Sequence, residues 1–318
     1  MVTSSAPLFV SSGDLVADRR YRWAIDHARR GDFLAAADIL AQTVELAPGF
    51  ATAWFALGAI RDRLGDRAGA VAAFSAARDA DPEDYHGARL HLARLGAGAA
   101  TPEMSETYVR RLFDQHAPDF DTTMLERLDY RGPQLLLDAV QRVVGARMRF
   151  GSMLDLGCGT GLAGAAFRPH VDWLVGIDLS PAMIDAACAK GLYDRLIADD
   201  LTHFLLAEAD NQAQYHLVLA ADVFVYCGDL TTIVAAVARV LAPDGLFAFT
   251  VEHHDGPGVR LRETLRYAHS ADHVRNALAH ARLGTRVLES AATRTEKGVP
   301  VAGLVVVAGA VADRDGKA

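Results

Sequence analysis

The sequence predicts an α/β protein: a seven-stranded sheet, five parallel strands plus a C-terminal antiparallel hairpin, preceded by an all-α domain of helical repeats. Three observations predict it. From about Ser152, short apolar runs alternate with amphipathic stretches, as strands and helices do in a parallel sheet. Residues 15–95 are rich in Ala, Leu and Arg, follow a helical period and carry no β-branched runs. With 318 residues, 51% apolar and 23% charged, the chain can hold about two domains with ample core.

The helical part repeats at a fixed period. Gly31 and Gly65 lie 34 residues apart, as do Pro48 and Pro82, Ala36 and Ala70, and Leu40 and Phe74. Each unit reads as a helix, a Gly-Asp turn, a second helix and a proline. Small Ala and Gly let two helices approach, and the large apolar residues fill between them. A third helix, roughly Tyr85 to Leu95, stops at Gly96-Ala97-Gly98 and reads as a cap.

Candidate strands are Ser152–Leu156, Asp172–Ile177, Arg195–Ala198, Tyr215–Ala220, Leu246–Val251, Gly284–Leu288 and Val301–Val307. Helices fall between the first five, and Ala271–Leu283 precedes the sixth. The short connection Glu289–Pro300 makes the last two strands an antiparallel hairpin.

The sharpest motif closes the first strand: Leu154-Asp155-Leu156-Gly157-Cys158-Gly159-Thr160-Gly161. Glycines there permit a tight turn and close approach of backbone N–H groups to a ligand. Alone the segment is ambiguous, because Gly159-Thr160-Gly161-Leu162-Ala163-Gly164 also fits a dinucleotide fingerprint with Asp178 at ribose distance. Asp155 favours a cationic ligand, since a pyrophosphate beside it would be repelled. Asp199-Asp200-Leu201 adds a second acid, and no Tyr-x-x-x-Lys pair occurs.

Together these residues resemble class I S-adenosylmethionine-dependent methyltransferases over roughly Tyr108 to Val307. The resemblance implies a Rossmann-like sheet and S-adenosyl-L-methionine as cofactor, with S-adenosyl-L-homocysteine as product. It places the methionine part on Asp155, Gly157, Cys158, Gly159 and Gly161, and the ribose on Asp178 and Leu179. Met183 packs on adenine, Asp200 and Leu201 meet its edge, and Ala220 ends the fourth strand beside the site. Trp54, Leu57, Gly58, Gly65, Ala70, Phe74, Ala77 and Pro82 resemble the tetratricopeptide motif, with Trp23-Ala24 replacing the usual Leu-Gly in the first unit. The presumed concave positions Tyr21, Ile25, Phe55 and Ala59 are apolar, which disfavours an acidic peptide tail. The lead-in Tyr108 to Phe120-Asp121, Leu128-Asp129-Tyr130-Arg131 and Arg266–Ser270 is similar to bacterial predicted methyltransferases with N-terminal tetratricopeptide repeats.

The expected organisation is a flexible segment at 1–14, repeats at 15–100, lid and lead-in helices at 101–150, the cofactor-binding core at 151–312 and a tail at 313–318. Methyl transfer is an in-line displacement that chiefly needs alignment in a dry pocket. The fold fixes no catalytic residue, so the candidates are His253 as a general base, Asp222 and Tyr226, all near strand ends. Tyr108, Phe113, Tyr130, Tyr267 and His269 are substrate or lid candidates. No spacing supports a metal site.

The expected acceptor is a small molecule, methylated at O, N or S. A protein acceptor recruited by the repeats is the chief rival. Self-association through the repeats and a non-catalytic interaction module stay open, as does a nicotinamide dehydrogenase. A net charge of -8 without a basic stripe argues against nucleic acid. Only Lys190, Lys297 and Lys317 are lysines, which leaves little room for Schiff-base chemistry. The three cysteines build no disulfide framework, and neither a signal peptide nor a membrane-spanning run appears, so a cytoplasmic protein is expected.

Overall fold

A computed structural model describes residues 9–101, 104–145 and 148–311. The chain divides into two units, Met1–Tyr108 with Leu261–Leu265, and Val109–Arg260 with Arg266–Ala318. Most of the segment expected to be flexible at 1–14, all of the tail at 313–318, and Pro102, Glu103, Ala146 and Arg147 of the lead-in lie outside the described residues.

The first unit is helical. Helices α1 (Leu15–Arg29) and α2 (Phe33–Leu46) form one hairpin, and α3 (Ala51–Arg63) and α4 (Arg67–Ala80) a second, followed by α5 (Ala88–Arg94). Both hairpin turns use a left-handed glycine, Gly31 (φ +86°) and Gly65 (φ +81°), and then an aspartate N-cap. Asp32 accepts from the Ala35 N–H and Asp66 from the Gly69 N–H. A Cβ on Gly58 would meet the Phe74 ring at 2.8 Å, which is why this helix–helix contact needs glycine. The expected open positions are partly closed: Tyr21 is buried against Phe9 and Phe50, and Phe55 packs on Phe74, His86 and His91.

Helix α6 (Glu106–His116) has its first turn in the first unit and the rest in the second, where α7 (Phe120–Thr122) runs into a π-helical turn, Thr123–Arg127. Helix α8 (Gly132–Val144), within the expected lead-in helices at 101–150, leads to the sheet. Its strands and helices alternate: β1 (Phe150–Leu156), α9 (Leu162–Phe167), β2 (Val171–Asp178), α10 (Pro181–Ala189), β3 (Arg195–Ala198), α11 (Leu201–Asp210), β4 (Tyr215–Ala220), α12 (Thr231–Val240) and β5 (Leu241–His253). After β6 (Val259–Leu261) and β7 (Tyr267–His269), α13 (Ala271–His280) precedes the hairpin of β8 (Leu283–Glu296) and β9 (Val299–Ala310).

All seven expected strands form, and β6 and β7 bring the sheet to nine. The parallel order is β3-β2-β1-β4-β5, and β9 then pairs antiparallel with β5 and β8. The two extra strands were hidden by their length of three residues each, too short for any periodicity. Glu252 pairs with Gly303 of β9 and also with Ala268 of β7. A strand has only two edges, so β7 takes up the β4-side edge of β5 beyond the end of β4. The hairpin turns at Lys297-Gly298, both at positive φ (+52° and +75°), the backbone of a type I′ loop. Buried side chains cover both faces, with Leu154, Ile177, Val218 and Phe247 in one layer and Met153, Leu174, Leu217 and Ala248 in the other.

Candidate active site

Because β1 to β5 are parallel, their carboxyl ends lie along one edge, where an open α/β sheet binds ligands. Asp155 sits in register with Gly176 of β2 and Leu219 of β4, one residue before β1 ends. Its carboxylate is buried (1% exposed): Oδ2 accepts a 2.7 Å hydrogen bond from the Tyr193 hydroxyl, and Oδ1 has no partner. Burial raises its pKa to about 7, assisted by the nearby charge of Asp178.

Asp178 ends β2 and ties two loops together. Its Oδ2 accepts from the Gly159 N–H (2.9 Å) and its Oδ1 from the Ser180 N–H (2.8 Å). Burial still raises its pKa to about 6, with Asp114 pushing the same way. Ser180 caps α10 by accepting from the Met183 N–H, and Pro181 follows at the first helical position.

The glycines of the loop have different reasons. Gly157, Gly159 and Gly161 all adopt positive φ (+63°, +53° and +93°). The space beside Gly157 is filled by Val223 and that beside Gly161 by Tyr193, whereas a Cβ on Gly159 would meet nothing nearer than Phe120 at 3.8 Å. Gly159 is therefore in ordinary van der Waals contact with the Phe120 ring and is less closely covered than Gly157 or Gly161. The Cys158 N–H donates to the Ile177 carbonyl, and its side chain is buried.

A strap of lead-in residues lies over these loops. Asp114 accepts from the Ser180 hydroxyl at 2.5 Å, and Asp121 accepts from the Thr160 hydroxyl and pairs with Lys190 at 2.6 Å. Phe113 packs edge-on against Tyr226 (5.2 Å) and Phe120 (6.3 Å).

Several expected roles need correction. Asp222, at φ +61°, neither caps a helix nor stands free, because both its oxygens accept from Arg294 Nη1 at 2.8 Å. His253 directs Nδ1 to the His269 carbonyl, and its Nε2 lies 3.5 Å from the exposed Asp255. Tyr267 and His269 are wholly buried (0% exposed), so they do not line an acceptor pocket. His269 Nε2 instead donates to the Phe224 carbonyl and fixes the turn after β4. Met183 and Ala220 are likewise enclosed and present no side-chain surface. Tyr108 lies in the first unit with its ring against Gly87. Asp200 caps α11 through the His203 N–H, and Asp199 holds the His203 ring at 2.7 Å. Leu179 is half-buried beside Asp178, and Leu201 is half-buried at the first residue of α11.

Sequence reading missed two residues that the fold brings in. Arg294 is 1% exposed and contacts Asp222, Glu252 and Glu296; Arg266 pairs with Glu296 at 2.6 Å. Burial opposes the Arg294 charge, yet the three carboxylates hold its pKa above the ordinary value. It projects from a register break between Ala292 and Thr295, where the backbone of Thr293 and Thr295 pairs with Arg131 and Leu128. Tyr130 belongs beside this cluster. Burial raises its phenol well above the usual value, Asp222 and Asp155 add to that, and Arg294 opposes it. Tyr130 therefore keeps its proton at neutral pH. The other missed residue is Tyr193; only the small residues Gly161, Gly164 and Gly176, all facing one ring, signal it in the sequence.

The chemistry of these residues suits the ammonium-bearing methionine part of S-adenosylmethionine. Asp155 Oδ1 is a buried acceptor without a hydrogen-bond donor, which a cationic N–H donor would satisfy. Among the described residues, no group of three His, Cys, Asp or Glu side chains could hold a metal ion.

Residues 154–247 match the family profile of a methyltransferase domain. Human methyltransferase-like protein 27 is 36% identical over 105 residues, 33% of this chain and 42% of that protein. A malonyl-[acyl-carrier protein] O-methyltransferase from Methylovorus sp. is 30% identical over 149 residues, 45% of this chain and 49% of that protein. The chain thus spans under half the length of these curated relatives. Among solved structures, the N-methyltransferase NodS from Bradyrhizobium japonicum with bound S-adenosyl-L-homocysteine superposes at a TM-score of 0.50, with 20% identity, over 63% of this chain and 96% of that one. Magnesium protoporphyrin IX methyltransferase from Synechocystis, also with bound S-adenosylhomocysteine, gives 0.50 at 17% identity, over 65% and 99%. The second unit has the fold of S-adenosylmethionine-dependent methyltransferases.

Proposed function

We propose that the chain transfers the methyl group of S-adenosylmethionine to a nucleophilic atom of a small-molecule acceptor. The observation that carries this reading is the buried, unpartnered Oδ1 of Asp155, at the carboxyl edge of a methyltransferase domain. When bound, the cofactor supplies an electrophilic methyl group on a sulfonium. The chain's own residues bind, orient and exclude water. Asp155 receives the amino group, and the Gly157–Gly161 loop, pinned by Asp178, receives the methionine part. Asp178 Oδ1 and Oδ2 each retain acceptor capacity for ribose hydroxyls beyond their backbone bonds. Asp200 and Leu201 stand at the adenine edge. Phe113, Phe120 and Tyr226 close the site against water. Tyr130, held protonated, orients the acceptor atom by hydrogen bonding, and Asp222 serves through Arg294 rather than as a base.

The first unit supports a reading as two tetratricopeptide repeats: left-handed glycines 34 residues apart, each followed by an aspartate cap, and a glycine under Phe74. No helix of the described residues is long and apolar enough to cross a membrane, and no disulfide joins Cys158, Cys188 and Cys227. A cytoplasmic site of action suits both. Incubating the full chain with methyl-labelled S-adenosylmethionine and separated small-molecule and protein fractions of a lysate tests the function. Label in the small-molecule fraction is expected. Label confined to protein would replace this acceptor class, and no enzyme-dependent transfer to either fraction would refute the methyl-transfer reading.

A further inference from the structure

Tyr193 stands in the short connection between α10 and β3, and three glycines on separate elements make room for its ring. A Cβ on Gly161 would meet it at 3.0 Å, one on Gly164 at 2.2 Å and one on Gly176 at 2.7 Å. Gly161 belongs to the loop, Gly164 to α9 and Gly176 to β2. Two glycines that look like a dinucleotide fingerprint in sequence therefore accommodate a tyrosine rather than a phosphate. The ring delivers its hydroxyl to Asp155 Oδ2 at 2.7 Å and leaves Oδ1 buried without a donor.

We propose that Tyr193 is a positioning residue for cofactor capture: its hydroxyl fixes the Asp155 carboxylate so that Oδ1 is presented to the cofactor's ammonium group, whose arrival displaces a proton from Asp155. This rests on the cofactor reading above. The geometry favours such an exchange: a buried carboxylate held by the Tyr193 hydroxyl and the Gly164 backbone N–H, with Oδ1 unpaired, keeps a proton until a cation replaces it. The titratable groups near the pair are Asp178 on β2, Cys158 in the loop and Tyr130 ahead of α8; none is a cation. Asp178 titrates too, but it is pinned by the backbone of Gly159 and Ser180 and does not touch Tyr193's hydroxyl. Loss of that hydroxyl therefore reports on Asp155.

The test is titration calorimetry of the full chain with S-adenosylhomocysteine, from about pH 6 to about pH 8, in two buffers of different ionisation enthalpy. Wild type is expected to release protons on binding and to tighten about tenfold across that range, since one pH unit of linkage is worth a factor of ten. Tyr193→Phe keeps the ring that fills the glycine-lined space. It is expected to bind about tenfold more weakly near pH 7 and to move the midpoint up by about one unit. Asp155→Asn is expected to abolish the proton release attributable to this site. Unchanged affinity and midpoint in Tyr193→Phe would overturn the proposal, reducing the residue to packing, and so would wild-type binding with no proton release. Absence of wild-type binding at every pH would instead remove the cofactor reading itself.

Discussion

A carboxylate enclosed by protein with one oxygen lacking a donor costs free energy that the rest of the fold must offset. Asp155 is in that position. Its folded pKa of about 7 lies above the ordinary 3.8, so the folded chain holds the proton more tightly than the unfolded one. The stabilising contribution is complete below 3.8 and is lost as pH rises through 7. Asp155→Asn should accordingly raise the melting temperature at pH 8, by about 2–4 °C per kcal/mol recovered, while S-adenosylhomocysteine binding falls. A melting temperature lowered by that change would contradict the account. Arg294 behaves oppositely: removing its charge leaves Asp222, Glu252 and Glu296 without their shared cation. Arg294→Met should destabilise by about 3–5 kcal/mol in denaturant titration, and Arg294→Lys should rescue little, because a single ammonium cannot reproduce the forked contacts. Asp155 was legible because a lone acid ahead of a glycine run has a local pattern. Arg294 was not, because it meets Asp222 across 72 residues of sequence.

At the scale of elements, strands of four or more residues announced themselves by apolar runs, and their loops by glycine and aspartate. The three-residue β6 and β7 did not, and helix α8 was anticipated only as part of the lead-in helices at 101–150, without bounds of its own. The hairpin was anticipated, but β8 and β9 run much longer than expected, since the polar end of β8 and the Pro- and Gly-containing ends of β9 pair through backbone bonds that side-chain pattern does not report. The strap over the loops depends on Asp114 and Asp121, whose partners Ser180, Thr160 and Lys190 lie on distant segments. Asp121→Ala removes a hydroxyl bond and a half-exposed ion pair, each of modest strength. Amide exchange in residues 109–127 should quicken about tenfold with little change in global stability, because a local opening of about 1.4 kcal/mol suffices. Unchanged exchange there would show that Asp121 does not hold the strap, leaving Asp114 and the aromatics to do so.

On the scale of the whole molecule, the two units respond differently to acid. In the helical unit, burial lowers the pKa of His86 and His91 to about 4. Their stabilising contribution is present above 6.5 and is lost as pH falls through 4. Asp84, raised to about 6 by burial, works the other way, since its contribution is complete below 3.8 and fades as pH rises through 6. Two histidines outweigh one aspartate between pH 7 and 5. The amides of α3 to α5 should therefore lose exchange protection in that interval, and constant protection would show that the histidines are not buried as neutral rings. In the second unit, Asp155 and Asp178 gain stability over the same interval as they take up protons, while His269, lowered to about 4 by burial, and His116, also lowered by burial, lose it, so the two effects oppose each other there.

In the function proposed above, the carboxyl edge of the parallel strands receives S-adenosylmethionine with its ammonium group on Asp155. A crystal structure of the full chain with S-adenosylhomocysteine tests this most directly. The account predicts the ligand's amino nitrogen within about 3 Å of Asp155 Oδ1, with the methionine part along Gly157–Gly161. A ligand seated elsewhere, or an Asp155 Oδ1 still without a donor in the complex, would contradict it.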